Sequence, residues 1–193
     1  MNYILIFVLF TGLTFTQELS IGAGPIFSAE NRTVNSSIGA NGYINYSFNE
    51  IFSLRSVYGY YSSSFSNSIK RAAGDTYSLN WIEANLLLHI PVSKTAFYFG
   101  GGIGYFFPEH SIFQHGTLGT AIEEIESGPG YAFIFGSNII TANSLSLNVE
   151  AEYFLFNSKM KGYYWAEEKI PFSESVNLNT FLIKLIFEYR FVL

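Results

Sequence analysis

The sequence contains no cysteine. Disulfides therefore cannot staple the fold, a thiolate metal site is impossible, and no cysteine is present to carry a lipid anchor. A chain without disulfides must be held together by its own packing or by a membrane.

Charged residues and long apolar runs are also scarce. Only 13% of the 193 residues are charged, whereas 49% are hydrophobic and 19% are aromatic. A soluble domain usually carries about 25% charged residues. After residue 16, no apolar run approaches the roughly 20 residues that a transmembrane helix needs. Two classes fit this composition: a soluble all-β protein with a large core, and a membrane barrel whose apolar residues alternate with polar ones. The net charge of −5 argues against nucleic acid as a partner.

The first 16 residues, MNYILIFVLFTGLTFT, have the apolar core of a secretory signal and are too short for a spanning helix. Thr14 and Thr16 occupy the small-residue positions if cleavage falls before Gln17. Two features are atypical, because no Lys or Arg precedes the apolar core and no Ala-x-Ala pattern follows it. We expect residues 1–16 to be a removed signal peptide and residues 17–193 to be the mature domain. The alternative is a buried first strand of a cytosolic protein.

Period-two alternation is clearest at the end of the chain. In residues 181–193 every odd position is apolar or aromatic, and the even positions include Lys184, Glu188 and Arg190. Successive side chains of a strand point to opposite faces, so one face is apolar and the other is charged. Residues 145–156 and 82–90 show the same pattern. In a soluble sandwich the charged face would contact water, whereas in a membrane barrel it would line the interior.

The strand-like segments are eight in number, and long and short connections alternate between them. The predicted strands are residues 19–27, 38–48, 52–61, 82–90, 97–107, 131–140, 145–156 and 181–193. The short connections are 49–50, 91–95 and 141–144, and the long ones are 29–35, 62–76, 108–130 and 157–176. Tight turns at one end and long loops at the other are typical of a barrel inserted from the periplasm. The pattern predicts an all-β fold, an eight-stranded antiparallel up-and-down transmembrane β-barrel after a cleaved signal peptide.

Three stretches resemble a known family. WIEANLLLHIPVSKTAFYFGGGIGY (residues 81–105), GYAFIFGSNII (130–140) and LSLNVEAEYFLF (145–156) are similar to bacterial outer-membrane-protein β-barrel domains. The resemblance implies a bacterial outer membrane location, with outer membrane lipids and the barrel-insertion machinery as partners. The closing residues Phe187, Tyr189, Phe191 and Leu193 resemble the assembly signal that this machinery reads, although the family usually ends in Phe or Trp. Fold analogy does not supply an activity.

Strand parity predicts that four acids, three bases and one histidine point into the barrel. They are Arg55, Glu83, His89, Glu150, Glu152, Lys184, Glu188 and Arg190. An eight-stranded barrel has an interior just wide enough for side chains, and buried charges must pair there. We expect a structural polar network that fills the lumen. The alternative is a gated or leaky polar path.

One predicted long loop contains residues that could carry chemistry. A Ser/His pair could hydrolyse an ester, and two histidines with acids could hold a metal. These residues are His110, Ser111, His115, Glu109, Glu123, Glu124 and Glu126. Their spacing matches no hydrolase or metal motif. We therefore expect a solvated acidic loop and predict no catalytic residue, metal ligand or cofactor.

The last long loop carries aromatic residues flanked by lysines. They are Lys159, Lys161, Tyr163, Tyr164 and Trp165. Exposed residues of these types suit contact with a partner or with anionic lipid headgroups. The alternative is an interfacial belt that caps the last two strands.

Three functions remain open on the sequence alone. The first is a non-enzymatic integral barrel that contributes to envelope integrity or surface contact through its long loops. The second is a small lipid-modifying enzyme of the outer membrane. The third is a soluble exported barrel that binds a hydrophobic ligand. The charged faces of the last two strands argue against the third, because such a barrel should be apolar inside.

Overall fold

The fold is described from a computed structural model, which describes residues 17–31, 33–64, 76–92, 95–111, 120–165 and 169–192. These residues form eleven strands: β1 (Glu18–Ser28), β2 (Ser37–Ser47), β3 (Phe52–Ser64), β4 (Thr76–Val92), β5 (Thr95–Ser111), β6 (Thr120–Ile125), β7 (Gly128–Ala142), β8 (Leu145–Leu155), β9 (Asn157–Trp165), β10 (Lys169–Asn177) and β11 (Thr180–Val192). Within these ranges there is no helix long and apolar enough to cross a membrane. The predicted signal peptide lies outside the described residues and stays a prediction.

Eight of the strands close into an antiparallel barrel. Around the barrel the order is β1, β2, β3, β4, β5, β7, β8 and β11. The first and last strands close the ring, with pairs that run from Glu18–Val192 to Ser28–Leu182. The predicted eight-stranded antiparallel fold is therefore confirmed.

The two faces of each barrel strand differ in polarity, as the alternation predicts. On β3, Arg55 is buried inside at 2% exposure, while Leu54 and Tyr58 face outward at 47% and 56%. Ile103 on β5 and Phe187 on β11 are likewise exposed on the outer wall. An apolar outer wall around a charged interior is the arrangement of a membrane barrel and the reverse of a soluble one.

The barrel has one end with tight turns and one end with long connections. β7 and β8 are joined through Asn143 and Ser144, and Asn143 adopts a left-handed φ of 54°, which asparagine tolerates. At the turn between β2 and β3, the Asn49 side chain accepts hydrogen bonds from the N–H groups of Ile51 and Phe52, both at 2.8 Å. The first residue of β1, Glu18, and the last residue of β11, Val192, pair with each other at this same end of the barrel. Short turns mark the periplasmic end of an outer membrane barrel, so the opposite end faces outward.

Two of the predicted long loops contain strands, so the prediction of a loop is wrong there. Segment 108–130 contains β6, and segment 157–176 contains β9 and β10; these strands form a separate three-stranded sheet in the order β10, β9, β6, here called the outer sheet. β4 and β5 also extend beyond the predicted strands, to Thr76 and Ser111. The outer sheet forms because its inward side chains, such as Met160, pack against an apolar surface at the outward-facing end of the barrel.

That apolar surface is a cluster in the outer half of the barrel interior. Trp81 packs edge-to-face on Phe154 with ring centroids 4.9 Å apart, and Phe106 contacts Phe154 at 5.0 Å. A side chain at Gly59 would collide with the Trp81 ring, so this glycine provides the space for the indole. The buried members of the cluster are Ile26, Val34, Tyr61, Tyr77, Leu79, Trp81, Phe106, Ile122, Ile125, Ala132, Phe154, Phe156, Met160, Val176, Leu178 and Leu182. The interior therefore has an apolar outer half and a charged inner half.

Candidate functional site

The centre of the charged half is a buried network of four ionisable side chains. Lys184 on β11 pairs with Glu150, at 3.1 Å, and with Glu152, both on β8. Arg55 on β3 pairs with the other oxygen of Glu150. All four are at most 2% exposed. Because removal of a charge from water is costly, these groups are stable there only as a mutually paired set.

Two tyrosines complete the surroundings of Arg55. Its guanidinium lies 4.1 Å from the ring centre of Tyr43 and 5.0 Å from that of Tyr98. The Tyr98 hydroxyl donates a hydrogen bond of 3.1 Å to Glu150. Both rings are on inward positions of their strands, and the sequence reasoning missed them because it followed charged residues alone. The period-two alternation of each strand was the sequence signal that could have identified both tyrosines as inward-facing.

A second group of charges lies nearer the periplasmic end. Arg190 donates to Glu188 at 2.7 Å and lies 3.5 Å from Glu18. Glu188 also accepts hydrogen bonds from the Tyr43 hydroxyl and, at 3.1 Å, from the Asn148 amide. This group links β1, β2, β8 and β11 around the inner mouth of the barrel.

The seven charged residues and one histidine that were predicted to line the lumen are all on the inner side, but they do not form one network. Arg55, Glu150, Glu152, Lys184 and Glu188 are buried and paired, whereas Arg190 is only partly buried. His89 is also partly buried, and its ring nitrogen contacts the Ser53 hydroxyl at 2.8 Å. Glu83 is 2% exposed, and neither of its carboxylate oxygens has a hydrogen-bond partner among the described residues.

A cavity of about 230 Å³ opens at the inner mouth of the barrel. Its lining includes Asn45, Arg55, His89, Tyr98, Glu188 and Arg190. The cavity reaches Arg55 and Tyr98, where the buried network begins. It is therefore a polar vestibule on the periplasmic side.

The residues considered for hydrolysis or metal binding do not form such a site in the described part of the chain. The His110 ring nitrogen contacts the backbone carbonyl oxygen of Ile122 at 2.8 Å, which ties β5 to β6. His115 and the side chain of Ser111 lie outside the described residues. Among the residues that are described, no group of His, Asp or Glu is arranged to hold a metal ion.

The outer sheet places three of the five predicted contact residues on the face that is turned away from the barrel. On β9, Met160 and Gly162 are buried on the face toward the barrel, while Lys159, Lys161 and Tyr163 lie on the opposite face. The side chains of Tyr164 and Trp165 lie outside what the structure describes.

Lys161 forms ion pairs within the exposed face of the outer sheet. Its ammonium lies 2.6 Å from Glu126 and 3.3 Å from Glu124. The hydrogen bond from Lys161 lowers the pKa of the Glu126 carboxyl below its ordinary value. The same contacts raise the pKa of the Lys161 ammonium, so both groups are charged at neutral pH.

The predicted assembly residues lie on the outer wall of β11. Phe187, Tyr189 and Phe191 are 62%, 43% and 40% exposed, and the Tyr189 and Phe191 rings contact each other at 4.8 Å. Leu193 is outside the described residues. Recognition of these residues by the insertion machinery stays a prediction.

An apolar outer wall, a charged interior and tight turns at one end define an integral outer membrane β-barrel. Residues 12–191 match the family described as the outer membrane protein beta-barrel domain. The chain belongs to this family, and the protein is located in the bacterial outer membrane, as the sequence predicts.

Several solved structures share the fold. OprG of Pseudomonas aeruginosa has a TM-score of 0.72 at 12% identity, over 92% of this chain and 97% of that one. AlkL, solved in lipid bilayers, has a TM-score of 0.60 at 15% identity, over 94% and 93% of the two chains. The Neisserial surface protein A has a TM-score of 0.55 at 12% identity, over 91% and 97%. No curated protein sequence matches this chain.

Proposed function

We propose that the protein is a non-enzymatic outer membrane barrel that acts in surface contact through the exposed face of its outer sheet. The observation that carries this proposal is the two-sided character of that sheet. Its inward residues Ile122, Ile125 and Met160 belong to the apolar cluster of the barrel, and its opposite face is polar and exposed.

The outer sheet is anchored to the barrel at several points. The His110 contact joins the sheet to β5 of the barrel, and within the sheet the N–H of Glu126, just after β6, donates to the Lys159 carbonyl of β9 at 2.9 Å. β9 follows β8 after one residue, Phe156, which is buried in the apolar cluster. A pre-ordered surface loses less conformational entropy on binding than a flexible loop does, which favours a role in contact.

The exposed face also has the chemistry of a protein-contact surface. A groove of about 390 Å³ runs along it, with Glu123, Lys161, Tyr163, Pro171 and Ser173 among its lining residues. Tyrosine is a residue type enriched where proteins bind one another, and charges of both signs at the rim favour selectivity. The surface therefore suits a partner of mixed polarity better than a uniformly anionic one.

The non-enzymatic part of the proposal rests on how the chemically capable residues are used. Lys184, Glu150 and Glu152 neutralise one another in the barrel interior, and the His110 ring nitrogen contacts a backbone carbonyl oxygen. Groups held in such pairs stabilise the fold and are not free to attack a lipid ester.

A triple substitution on the exposed face tests the surface-contact role. In cells that express the Lys159→Ala, Lys161→Ala, Tyr163→Ala variant, we expect cell–cell aggregation and retention on a protein-coated surface to fall several-fold, toward the level of cells without the protein. Uptake of a hydrophobic dye, which reports envelope integrity, should not change. Glu50→Ala, in a tight turn at the opposite end, is the matched control and should behave as the wild type.

Two results would contradict the proposal. Wild-type levels of aggregation and retention in the triple variant would show that the exposed face of the outer sheet is not needed for surface contact. A rise in dye uptake without loss of retention would indicate a role in envelope integrity instead. Surface levels and the gel shift between boiled and unboiled samples must first show that each variant is folded in the membrane.

A further inference from the structure

The outer wall of the barrel carries a polar groove at its outward-facing end. It has a volume of about 370 Å³ and is lined by Asn31, Thr33, Tyr153, Asn177 and Asn179, here called the amide groove. Three separate parts of the chain supply these residues: the connection after β1, the end of β8, and the junction between β10 and β11. The groove is therefore built by the tertiary fold and not by one loop.

Side-chain hydrogen bonds hold the walls of the amide groove. The side-chain amide of Asn31 donates to the backbone carbonyl of Asn179 at 2.6 Å, and the Thr33 hydroxyl donates to the backbone carbonyl of Asn177 at 2.7 Å. The side-chain oxygen of Asn179 accepts from the N–H of Phe156 at 2.8 Å, and that of Asn177 accepts from the N–H of Asn179 at 2.9 Å. These bonds fix the side-chain amide planes of Asn177 and Asn179 in place.

The same bonds leave donors available to a ligand. The oxygens of Asn177 and Asn179 are occupied, but their amide nitrogens donate to no group among the described residues. Each amide nitrogen carries two N–H donors. The groove thus presents oriented donors beside the exposed ring of Tyr153.

The position of the groove indicates what it faces in the cell. Tyr153 pairs across the sheet with Phe133 on β7 and Phe181 on β11, and both phenylalanines are exposed on the outer wall. β8 ends only two residues beyond Tyr153. The groove therefore lies where the apolar wall ends, at the level of the polar headgroups of the outer leaflet.

The lining chemistry favours a sugar over a phosphate. The described residues that line the groove are asparagines, a threonine and a tyrosine, and none of them is charged. Phosphate recognition uses Arg or Lys, whereas adjacent hydroxyls of a sugar match fixed amide donors, and its apolar ring face packs on an aromatic ring. We infer that the amide groove binds a sugar residue of a glycolipid in the outer leaflet.

An NMR titration tests this inference with the intact protein in phosphatidylcholine nanodiscs. The probe is dephosphorylated core oligosaccharide released from lipopolysaccharide. We expect the side-chain amide signals of Asn177 and Asn179 to shift on titration. Tyr153→Ala should weaken the oligosaccharide affinity by about tenfold, as loss of one ring contact predicts. Tyr153→Phe should keep the affinity, and Tyr131→Ala, an exposed aromatic outside the groove, is the matched control.

Three outcomes would overturn the inference. The first is that the oligosaccharide produces no shift. The second is that Tyr153→Ala binds it as tightly as Tyr131→Ala does. The third is that the amide signals respond to phosphatidylglycerol in the nanodisc and not to the oligosaccharide, because that result would define an anion site. The boiled-versus-unboiled gel shift checks that each variant remains folded.

Discussion

Replacing Lys184 with methionine should lower the free energy of unfolding by about 3–5 kcal/mol, the usual cost of removing one partner from a buried ion pair. Lys184 is the shared partner of Glu150 and Glu152, so its loss leaves two buried carboxylates beside the single cation Arg55. Urea unfolding of the barrel in phospholipid vesicles, followed by tryptophan fluorescence, measures the change.

Glu83→Gln is the matched control for Lys184→Met. Glu83 is as deeply buried as the network and interacts electrostatically with Lys184 and Glu152, but no direct ion pair joins it to another described residue. Replacing its carboxyl with an amide of similar size removes an unpaired acid, so the free energy of unfolding should change by less than about 1 kcal/mol or rise. If Glu83→Gln lowered the free energy of unfolding as much as Lys184→Met does, Glu83 would have to be one of the paired members of the network.

Trp81→Ala should destabilise the barrel by about 3–5 kcal/mol, because it removes the largest buried side chain of the apolar cluster and leaves a cavity. Trp81 is 0% exposed and packs against Phe154 and Tyr61, at 4.9 and 6.0 Å. The closed ring of strands limits how far the walls can move inward to fill the space. Circular dichroism during urea unfolding measures this effect, since the substitution removes one of the two tryptophans.

Ile82→Ala provides the comparison for Trp81→Ala. Ile82 is the next residue on the same strand, but its side chain is 52% exposed on the outer wall. Its truncation leaves no interior cavity, so the loss should be clearly smaller than for Trp81. Equal losses at the two positions would contradict the assignment of inner and outer faces.

The barrel strands were predictable from the sequence because lipid and lumen impose opposite polarity on alternate residues. Residues such as Lys184 and Glu188 carry that signal along β11, where every odd position is apolar. The same parity placed Arg55 and Glu150 inside before any pairing was known. Alternation therefore gave the strands and the faces, whereas the bacterial outer membrane location, which the family match supports, was implied by the family resemblance.

The outer sheet was not predictable in the same way. β6 and β9 lie above the membrane, where only the inward face must be apolar and the partner surface is supplied by the barrel. Met160 and Ile122 were unremarkable in isolated loop sequences, and their burial depends on the tertiary fold. The register between β6 and β9 also shifts between Ile122 and Glu124, which interrupts the period of two.

Pairing inside the lumen was the other unpredictable feature. The period-two alternation places Glu83, Glu150 and Glu152 on the interior surface, but it does not show which of these acids forms an ion pair with Lys184. That choice depends on the stagger of strands around the closed barrel. The same limit explains why the tyrosines that surround Arg55 were missed.

Thiol labelling on intact cells tests the central claim, that the outer sheet faces the outside of the cell above a barrel that spans the membrane. The chain has no cysteine, so single cysteines at Lys159 on β9 and at Glu50 in a tight turn can be labelled without background. We predict that a membrane-impermeant maleimide labels Lys159→Cys on intact cells and labels Glu50→Cys only after the outer membrane is permeabilised. Labelling of Glu50→Cys but not Lys159→Cys on intact cells, or equal labelling of both, would contradict the account.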